Sequence, residues 1–162
     1  MAQTTEECKP LVVIKITGTV RAQKEARETL QFLHLTHTHH AVIIDSRPAY
    51  KGMLQRVNSY ITYGEPTKET VIMMLQKRAR SAGGKKITNE YLQKAGYKSI
   101  DDLAEALTTC KVAYHKLPDI QPLFRLHPPS KGFKGKTKQG FNAGGEAGYR
   151  GEAINDLVKR MV

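Results

Sequence analysis

The chain has 162 residues, and its 40% apolar content is enough to bury a core in one domain or in a small domain with an appendage. Its formal net charge of +11 predicts a polyanionic partner such as nucleic acid, because a positive field attracts polyanions. No signal-peptide pattern or membrane-spanning apolar run occurs, and the two cysteines lack CxxC spacing. The composition therefore argues against a membrane protein, a disulfide framework and a cysteine-rich zinc knuckle, and we expect a cytosolic protein.

The first 65 residues alternate between strand and helix patterns. Residues 1–10 are polar and predict a flexible N-terminus. Residues 11–17, LVVIKIT, form a β-branched apolar run whose charged side chain is Lys15, and an apolar stripe from Ala22 to Leu33 then predicts a helix. A second strand over 41–44, a helix from Pro48 and a third strand over 60–63 follow. We predict an α+β fold with a βαβαβ core over residues 11–65, in which both helices cover one face of a three-stranded sheet.

Residues 66–117 predict a helical extension. Thr67 is a suitable N-cap for a helix through Ala82, ended by two glycines, and a short helix follows from Thr88 to Gly96. Ser99, with an acid three residues on, opens a third helix through a capping box. Four prolines between residues 118 and 129 then predict an extended traverse of the surface.

Residues 130–151, SKGFKGKTKQGFNAGGEAGYRG, are called the basic tract below. They have no apolar period, so they cannot bury a face of their own. Lysines neutralise phosphates and isolated aromatic rings stack on bases, so the tract suits RNA, although its composition also fits a disordered basic linker. Residues 152–162 place apolar side chains at i, i+3, i+4 and i+7 and predict a C-terminal docking helix. We therefore expect residues 118–151 to form an extended RNA-binding segment that is tethered at both ends.

Four histidines, His34, His37, His39 and His40, form the densest titratable cluster. Alternation along a strand sends His37 and His39 to one face and His40 to the other, which favours surface histidines over a metal site. Of the two separate cysteines, Cys110 is interpreted as a small core residue. The sequence thus predicts no metal and no cofactor.

Residues 18–21, GTVR, lie between the first strand and the first helix, where a small acylphosphatase-like enzyme places a phosphate-binding loop. One glycine and one arginine are weak support, and a plain turn is favoured. No Ser/His/Asp or Cys/His set calls for catalysis. A small phosphatase that uses Arg21 remains the alternative class, and a free-standing RNA chaperone is a further one.

The positive charge lies mainly in the second part of the chain. Residues 1–65 hold 8 Lys/Arg against 6 Asp/Glu, a net charge of +2, and residues 66–162 hold the remaining 18 against 9, a net charge of +9. We expect contacts with RNA phosphates from basic side chains of the core, the helical extension and the tract, with three aromatic side chains as stacking groups. The candidates are Lys15, Arg21, Arg47, Lys51, Arg56, Lys77, Arg78, Arg80, Lys85, Lys86, Arg125, Lys131, Lys134, Lys136, Lys138 and Arg150, with the stacking groups Phe133, Phe141 and Tyr149.

Several segments resemble the ribosomal protein L-thirty family of the large subunit. The family pattern is seen in residues 46–65, SRPAYKGMLQRVNSYITYGE, where a basic residue precedes Gly-Met, and in KIT at 15–17 and TLQFLHL at 29–35. FRLHPPSKGF at 124–133 and GGEAGYRGEAINDLVKRM at 144–161 resemble the longer archaeal and eukaryotic form. The chain lacks the basic N-terminal arm of the eukaryotic form and is similar to the archaeal type.

The resemblance implies an antiparallel three-stranded sheet, somewhat like a ferredoxin fold. It also implies a structural role without enzymatic activity, in the cytoplasm and within the ribosome. The expected partners are large-subunit RNA of the 23S type, 5S RNA as a second neighbour, and neighbouring large-subunit proteins, without a membrane or a small-molecule substrate. The bacterial form usually has arginine where this chain has Lys51, which is a point charge without the guanidinium fork.

Overall fold

A computed structural model describes residues 8–162 of the chain. The predicted flexible N-terminus, residues 1–10, lies largely outside the described residues. Within them the chain forms a six-stranded sheet. Its strands are β1 (Pro10–Lys15), β2 (His40–Asp45), β3 (Ile61–Gly64), β4 (Phe124–Arg125), β5 (Lys136–Gly140) and β6 (Gly145–Tyr149), in the spatial order β4-β2-β1-β3-β6-β5.

Helices cover both faces of this sheet. The described residues form α1 (Lys24–Phe32), α2 (Pro48–Arg56), α3 (Lys68–Arg78), α4 (Asn89–Lys94), α5 (Ile100–Thr108) and α6 (Ile154–Met161). No helix among residues 8–162 combines the length and apolar character that a membrane span requires.

The predicted βαβαβ core is confirmed, with β1 as its central strand. Val13 of β1 lies opposite Val42 of β2 and opposite Tyr63 of β3, and both pairings are antiparallel. Leu11 and Val13 pack with α1 and α2 on one face, as predicted for the two core helices. Val12 and Ile14 alternate to the other face. Because both faces of β1 are covered, its sequence is a continuous apolar run.

The helical extension and the C-terminal helix, which the sequence also predicted, form the second layer. Thr67 and Ser99 cap α3 and α5, since their hydroxyls accept hydrogen bonds from Thr70 N–H at 3.4 Å and Asp102 N–H at 3.2 Å. One difference is the end of α3, which stops at Arg78 rather than at residue 82. Ala79 takes an extended conformation with ψ 135°, and the two glycines form part of a turn that the Arg80–Lys86 bridge closes.

The proline-rich traverse is partly buried, which differs from the prediction of a surface segment. Phe124 of β4 is fully buried and stacks on Tyr114 with the ring centroids 4.7 Å apart. β4 pairs with β2 through His40 and Arg125, and so forms one edge of the sheet.

The basic tract, which the sequence predicted as an extended segment, contributes two strands to the sheet. Thr62 of β3 lies opposite Gly148 of β6 in a parallel pairing, and β5 adds a parallel edge beyond β6. A Cβ atom at Gly135 would lie 2.5 Å from the carbonyl oxygen of Gly144, so only glycine permits this approach of the two backbones. The three predicted strands are therefore the centre of a larger sheet.

Candidate nucleic-acid interface

Helix α2 and the two tract strands form one surface on the α1/α2 side of the sheet. One groove of about 310 Å³ is lined by Arg56 from the end of α2 and Lys138 from β5. A second groove of about 420 Å³ is lined by Lys51 of α2 and Tyr149 of β6. Gln55 lines both grooves, so they are adjacent. We call this the α2–tract surface, defined by Lys51, Gln55, Arg56, Lys138 and Tyr149.

This surface combines positive charge with an exposed ring. The side chains of Arg56 and Lys138 are exposed. Tyr149 is 49% exposed, and its ring centroid lies 5.5 Å from that of Tyr63. Burial and the neighbouring Glu65 raise the pKa of Tyr149 above its ordinary value, so the phenol is neutral at neutral pH. The surface thus offers phosphate-neutralising groups beside a neutral ring that can stack on a base.

Lys15, a predicted RNA contact, lies inside the protein. Its side chain is 2% exposed, and Nζ donates a hydrogen bond to the carbonyl oxygen of Thr36 at 2.7 Å. Burial lowers the pKa of this amine. Lys15 therefore holds the connection between α1 and β2, and its prediction as a surface contact is corrected.

Arg150, a second predicted contact, is also buried. Its guanidinium forms an ion pair with Glu146, and Nε donates to the hydroxyl of Thr62 at 2.8 Å. The other carboxylate oxygen of Glu146 accepts the N–H groups of Lys134 and Gly135 at 3.0 and 2.9 Å. Burial alone would raise the pKa of Glu146, but the Arg150 guanidinium and these N–H groups outweigh it, and the pKa lies below the ordinary value. Arg150 thus fixes the tract to the sheet and is not presented to solvent.

The predicted stacking groups differ in their availability. Phe133 is half-buried against the core and stacks on His39 with the ring centroids 6.2 Å apart. Phe141 is 37% exposed, but the Arg150 guanidinium lies 4.9 Å from the centre of its ring. Tyr149 on the α2–tract surface is therefore the stacking group with the largest exposed area.

The remaining predicted basic residues lie in several places. Arg47 donates to the carboxylate of Asp45 through Nε and Nη2, and the Arg78 guanidinium donates to the carbonyl oxygen of Val162 at 2.9 Å. Arg21 is exposed in the β1–α1 connection with φ 64°. The others are exposed or half-exposed: Lys77, Arg80, Lys85 and Lys86 near the end of α3, Arg125 on β4, and Lys131, Lys134 and Lys136 in the tract.

A further basic groove was missed by the sequence prediction. Lys24 and Arg27 of α1 line a groove of about 340 Å³ with Thr19 and Gln31. Lys24 and Arg27 are three residues apart, which places them on one side of the helix. Lys24 in turn follows Arg21 by three residues. This spacing is the pattern that could have identified them.

Comparisons with known proteins extend these observations. A family model described as ribosomal protein L30p/L7e matches residues 11–61. The large ribosomal subunit protein uL30 of Thermofilum pendens is 45% identical over 152 residues, which are 93% of this chain and 97% of its own length. The protein of the same name from Staphylothermus marinus is 47% identical over 93% of this chain and 96% of its own length. The protein of the same name from Korarchaeum cryptofilum is 42% identical over 97% of this chain and 98% of its own length.

The three relatives each align over more than nine-tenths of this chain, so they cover the βαβαβ core, the helical extension and the tract alike. The resemblance inferred from the short segments, including those beyond residue 65, is thereby confirmed. The chain belongs to the ribosomal protein L30p/L7e family.

Proposed function

We propose that this protein binds folded large-subunit ribosomal RNA, of the 23S type, through the α2–tract surface. The family is one of ribosomal proteins, and the relatives above are named for the large subunit. The chain is accordingly a structural protein of the large ribosomal subunit in the cytoplasm, and the phosphatase alternative that used Arg21 is set aside.

The observation that carries this proposal is the meeting of core and tract residues around two adjacent grooves. Arg56 and Lys138 are 82 positions apart in the sequence and line the same groove. A solvated charged face would not require such convergence, whereas a folded RNA presents phosphates on a backbone that a groove can follow. We expect recognition mainly through phosphates and shape, with Tyr149 as a stacking platform.

The other exposed basic candidates extend the proposed contact area. They lie on the β1–α1 and β2–α2 connections, near the end of α3, on β4 and in the tract, so the RNA would contact several sides of the molecule. These contacts are proposed for Arg21, Arg47, Lys77, Arg80, Lys85, Lys86, Arg125, Lys131, Lys134 and Lys136. Contacts with 5S RNA and with neighbouring ribosomal proteins are also proposed, on the family resemblance alone.

A matched pair of charge variants tests the α2–tract surface. Arg56→Gln with Lys138→Gln removes two proposed phosphate contacts, and Lys98→Gln with Lys111→Gln removes two exposed lysines elsewhere. The first pair should weaken binding to purified large-subunit RNA and reduce the slope of log affinity against log salt by about 1.5–2. The control pair should leave the slope near the wild-type value.

Equal slopes for the two pairs would contradict a localised α2–tract contact. The same titration with isolated 5S RNA tests the second neighbour, since a specific contact there should survive competition by unrelated RNA. A free-standing RNA chaperone would bind all these RNAs equally and would not co-sediment with large subunits.

A further inference from the structure

Three potential metal ligands come together on the side of the core next to α5. Cys8 lies just before β1, Asp45 ends β2, and Cys110 follows α5. One ligand atom of each residue lies within 4.8 Å of the other two, and the Cys110 thiol donates to the carbonyl oxygen of Cys8 at 3.1 Å. The sequence prediction treated the cysteines as unrelated and placed Cys110 in the core, but it is half-exposed and adjacent to Cys8.

The chemistry of this cluster suits a thiophilic divalent cation. Zn²⁺ binds cysteine sulfur at about 2.3 Å and carboxylate oxygen at about 2.0–2.2 Å in tetrahedral geometry, which places the ligand atoms about 3.4–3.8 Å apart. The three ligand atoms lie within 4.8 Å of one another, so small side-chain movements would bring them to that spacing. Cys8 is exposed, so an ion can reach the cluster from solvent.

The charges around the cluster also favour a bound cation. Two thiolates and one carboxylate around a divalent ion carry a net charge of −1, and the neighbouring Arg47 guanidinium neutralises it. Both Arg47 hydrogen bonds go to Oδ2 of Asp45, so they orient the carboxylate and leave Oδ1 as the oxygen that can face the ion. Such outer partners of a metal ligand fix its geometry.

We propose that Cys8, Asp45 and Cys110 bind a thiophilic divalent cation of the zinc class, with water as the fourth ligand. The bound ion would join the chain before β1 to the end of α5, and so would fasten the helical extension to the core. A disulfide between the same two cysteines is the competing state, and it would take no ligand from Asp45.

Cobalt titration of the full-length protein tests this site directly. The reduced, chelator-treated chain is titrated with Co²⁺, whose bonds to thiolate absorb in the near ultraviolet in proportion to their number, and then with Zn²⁺ to displace it. We expect one equivalent of Co²⁺, a charge-transfer band and tetrahedral d–d bands in the visible range. Zn²⁺ should abolish these bands.

Variants distinguish the ligands from the surrounding structure. Cys8→Ser and Cys110→Ser should each remove about half of the charge-transfer intensity per bound ion and weaken Co²⁺ binding at least about tenfold, since even outer partners of a ligand are worth about 10–100-fold. Asp45→Asn should weaken binding while keeping the full intensity per bound ion. Asp156→Asn, an exposed acid on α6, is the matched control and should bind as the wild type does. Circular dichroism of each metal-free variant shows whether it folds.

Three results would overturn the proposal. One is the absence of a charge-transfer band with the folded, reduced wild type. Another is Co²⁺ binding that neither cysteine substitution changes, which would place the ion elsewhere. The third is a disulfide in place of the metal site. Protein purified without reductant would then weigh two hydrogens less and have no titratable thiols, and it would bind no Zn²⁺ after reduction.

Discussion

Four charged side chains of the described residues are buried, and each has a specific partner. Asp45 pairs with Arg47, Glu146 pairs with Arg150, and Lys15 donates to a carbonyl oxygen. A buried charge is costly unless it is paired and hydrogen-bonded. Two of these buried groups are basic and two are acidic, so the net positive charge of the surface is unchanged. The number of basic residues nevertheless exceeds the number of basic groups that are available to a partner.

Replacing Glu146 by glutamine tests the buried ion pair with little change of shape. The amide oxygen can still accept the Lys134 and Gly135 N–H groups, but Arg150 is left buried without its counter-ion. We expect a loss of about 3–5 kcal/mol in the free energy of unfolding. At about 2–4 °C per kcal/mol for a chain of this size, the melting temperature should fall by roughly 6–20 °C. The double variant Glu146→Gln with Arg150→Met should recover part of this loss, and a double variant as unstable as the single one would contradict the pairing.

The same pair gives the stability a defined pH dependence. The folded-state pKa of Glu146 is lowered, so its stabilising contribution is fully present above the unfolded-state value of about 4.3 and is lost as the pH falls through the folded-state value. Wild-type stability should therefore fall below about pH 4.3 more steeply than that of the Glu146→Gln variant. Thermal melts measure the difference. They should run from about pH 3, in the range where carboxyl groups titrate, to about pH 7.

Apolar periodicity in the sequence predicts the helices and strands of the core, but it does not predict the strands of the tract. β1 and α2 follow from apolar runs and stripes, as does the buried side of α6, whose Leu157 is 1% exposed. β6 reads GEAGY and has no apolar period, because its burial comes from close backbone approach and an ion pair. The α2–tract surface depends on the pairing of β3 with β6, 86 positions apart at Thr62 and Gly148, which no local pattern indicates. The contact between Cys8 and Cys110 also joins residues that are far apart in the sequence, so no local pattern indicates it.

Two glycine substitutions in the tract test whether backbone approach holds its strands. A Cβ atom at Gly145 would lie 2.1 Å from the carbonyl oxygen of Gln139, whereas one at Gly140 would meet no atom within 4 Å. Gly145→Ala should push β5 away from β6 at a cost of about 1–3 kcal/mol, typical of overpacking. Since proteolysis follows the population of the opened form, cleavage within residues 130–151 should be about 5- to 150-fold faster.

Gly140→Ala is the matched control in the same tract and should be cleaved at the wild-type rate. Limited proteolysis with mass spectrometry of the fragments locates the cut. Equal protection of the two variants would mean that the tract strands do not depend on the approach at Gly145.

The whole molecule has two apolar clusters, one on each face of a shared sheet. Neighbouring residues of β1, such as Val12 and Val13, belong to different clusters, so neither cluster can form without the strand that completes the other. α6 closes one cluster, and its carbonyls also hold the chain before the tract, since Met161 accepts from His127 N–H at 2.9 Å. We infer that the core, the helical extension and the tract unfold as one unit.

Leu157→Ala tests this cooperativity, with the exposed Lys159→Ala on the same helix as its control. Removing a buried leucine side chain costs about 2–5 kcal/mol, which should lower the melting temperature by roughly 4–20 °C, whereas the control should remain near the wild-type value. Far-ultraviolet circular dichroism reports on the whole chain. Tyrosine fluorescence reports on both faces, since Tyr91, Tyr97 and Tyr114 pack in the cluster with α6. Tyr50, Tyr60 and Tyr63 pack on the opposite face. The two probes should give one coincident transition at the lowered temperature, because the clusters share β1. A tyrosine transition that split into two steps, with the later step at the wild-type temperature, would instead show that the two faces unfold independently.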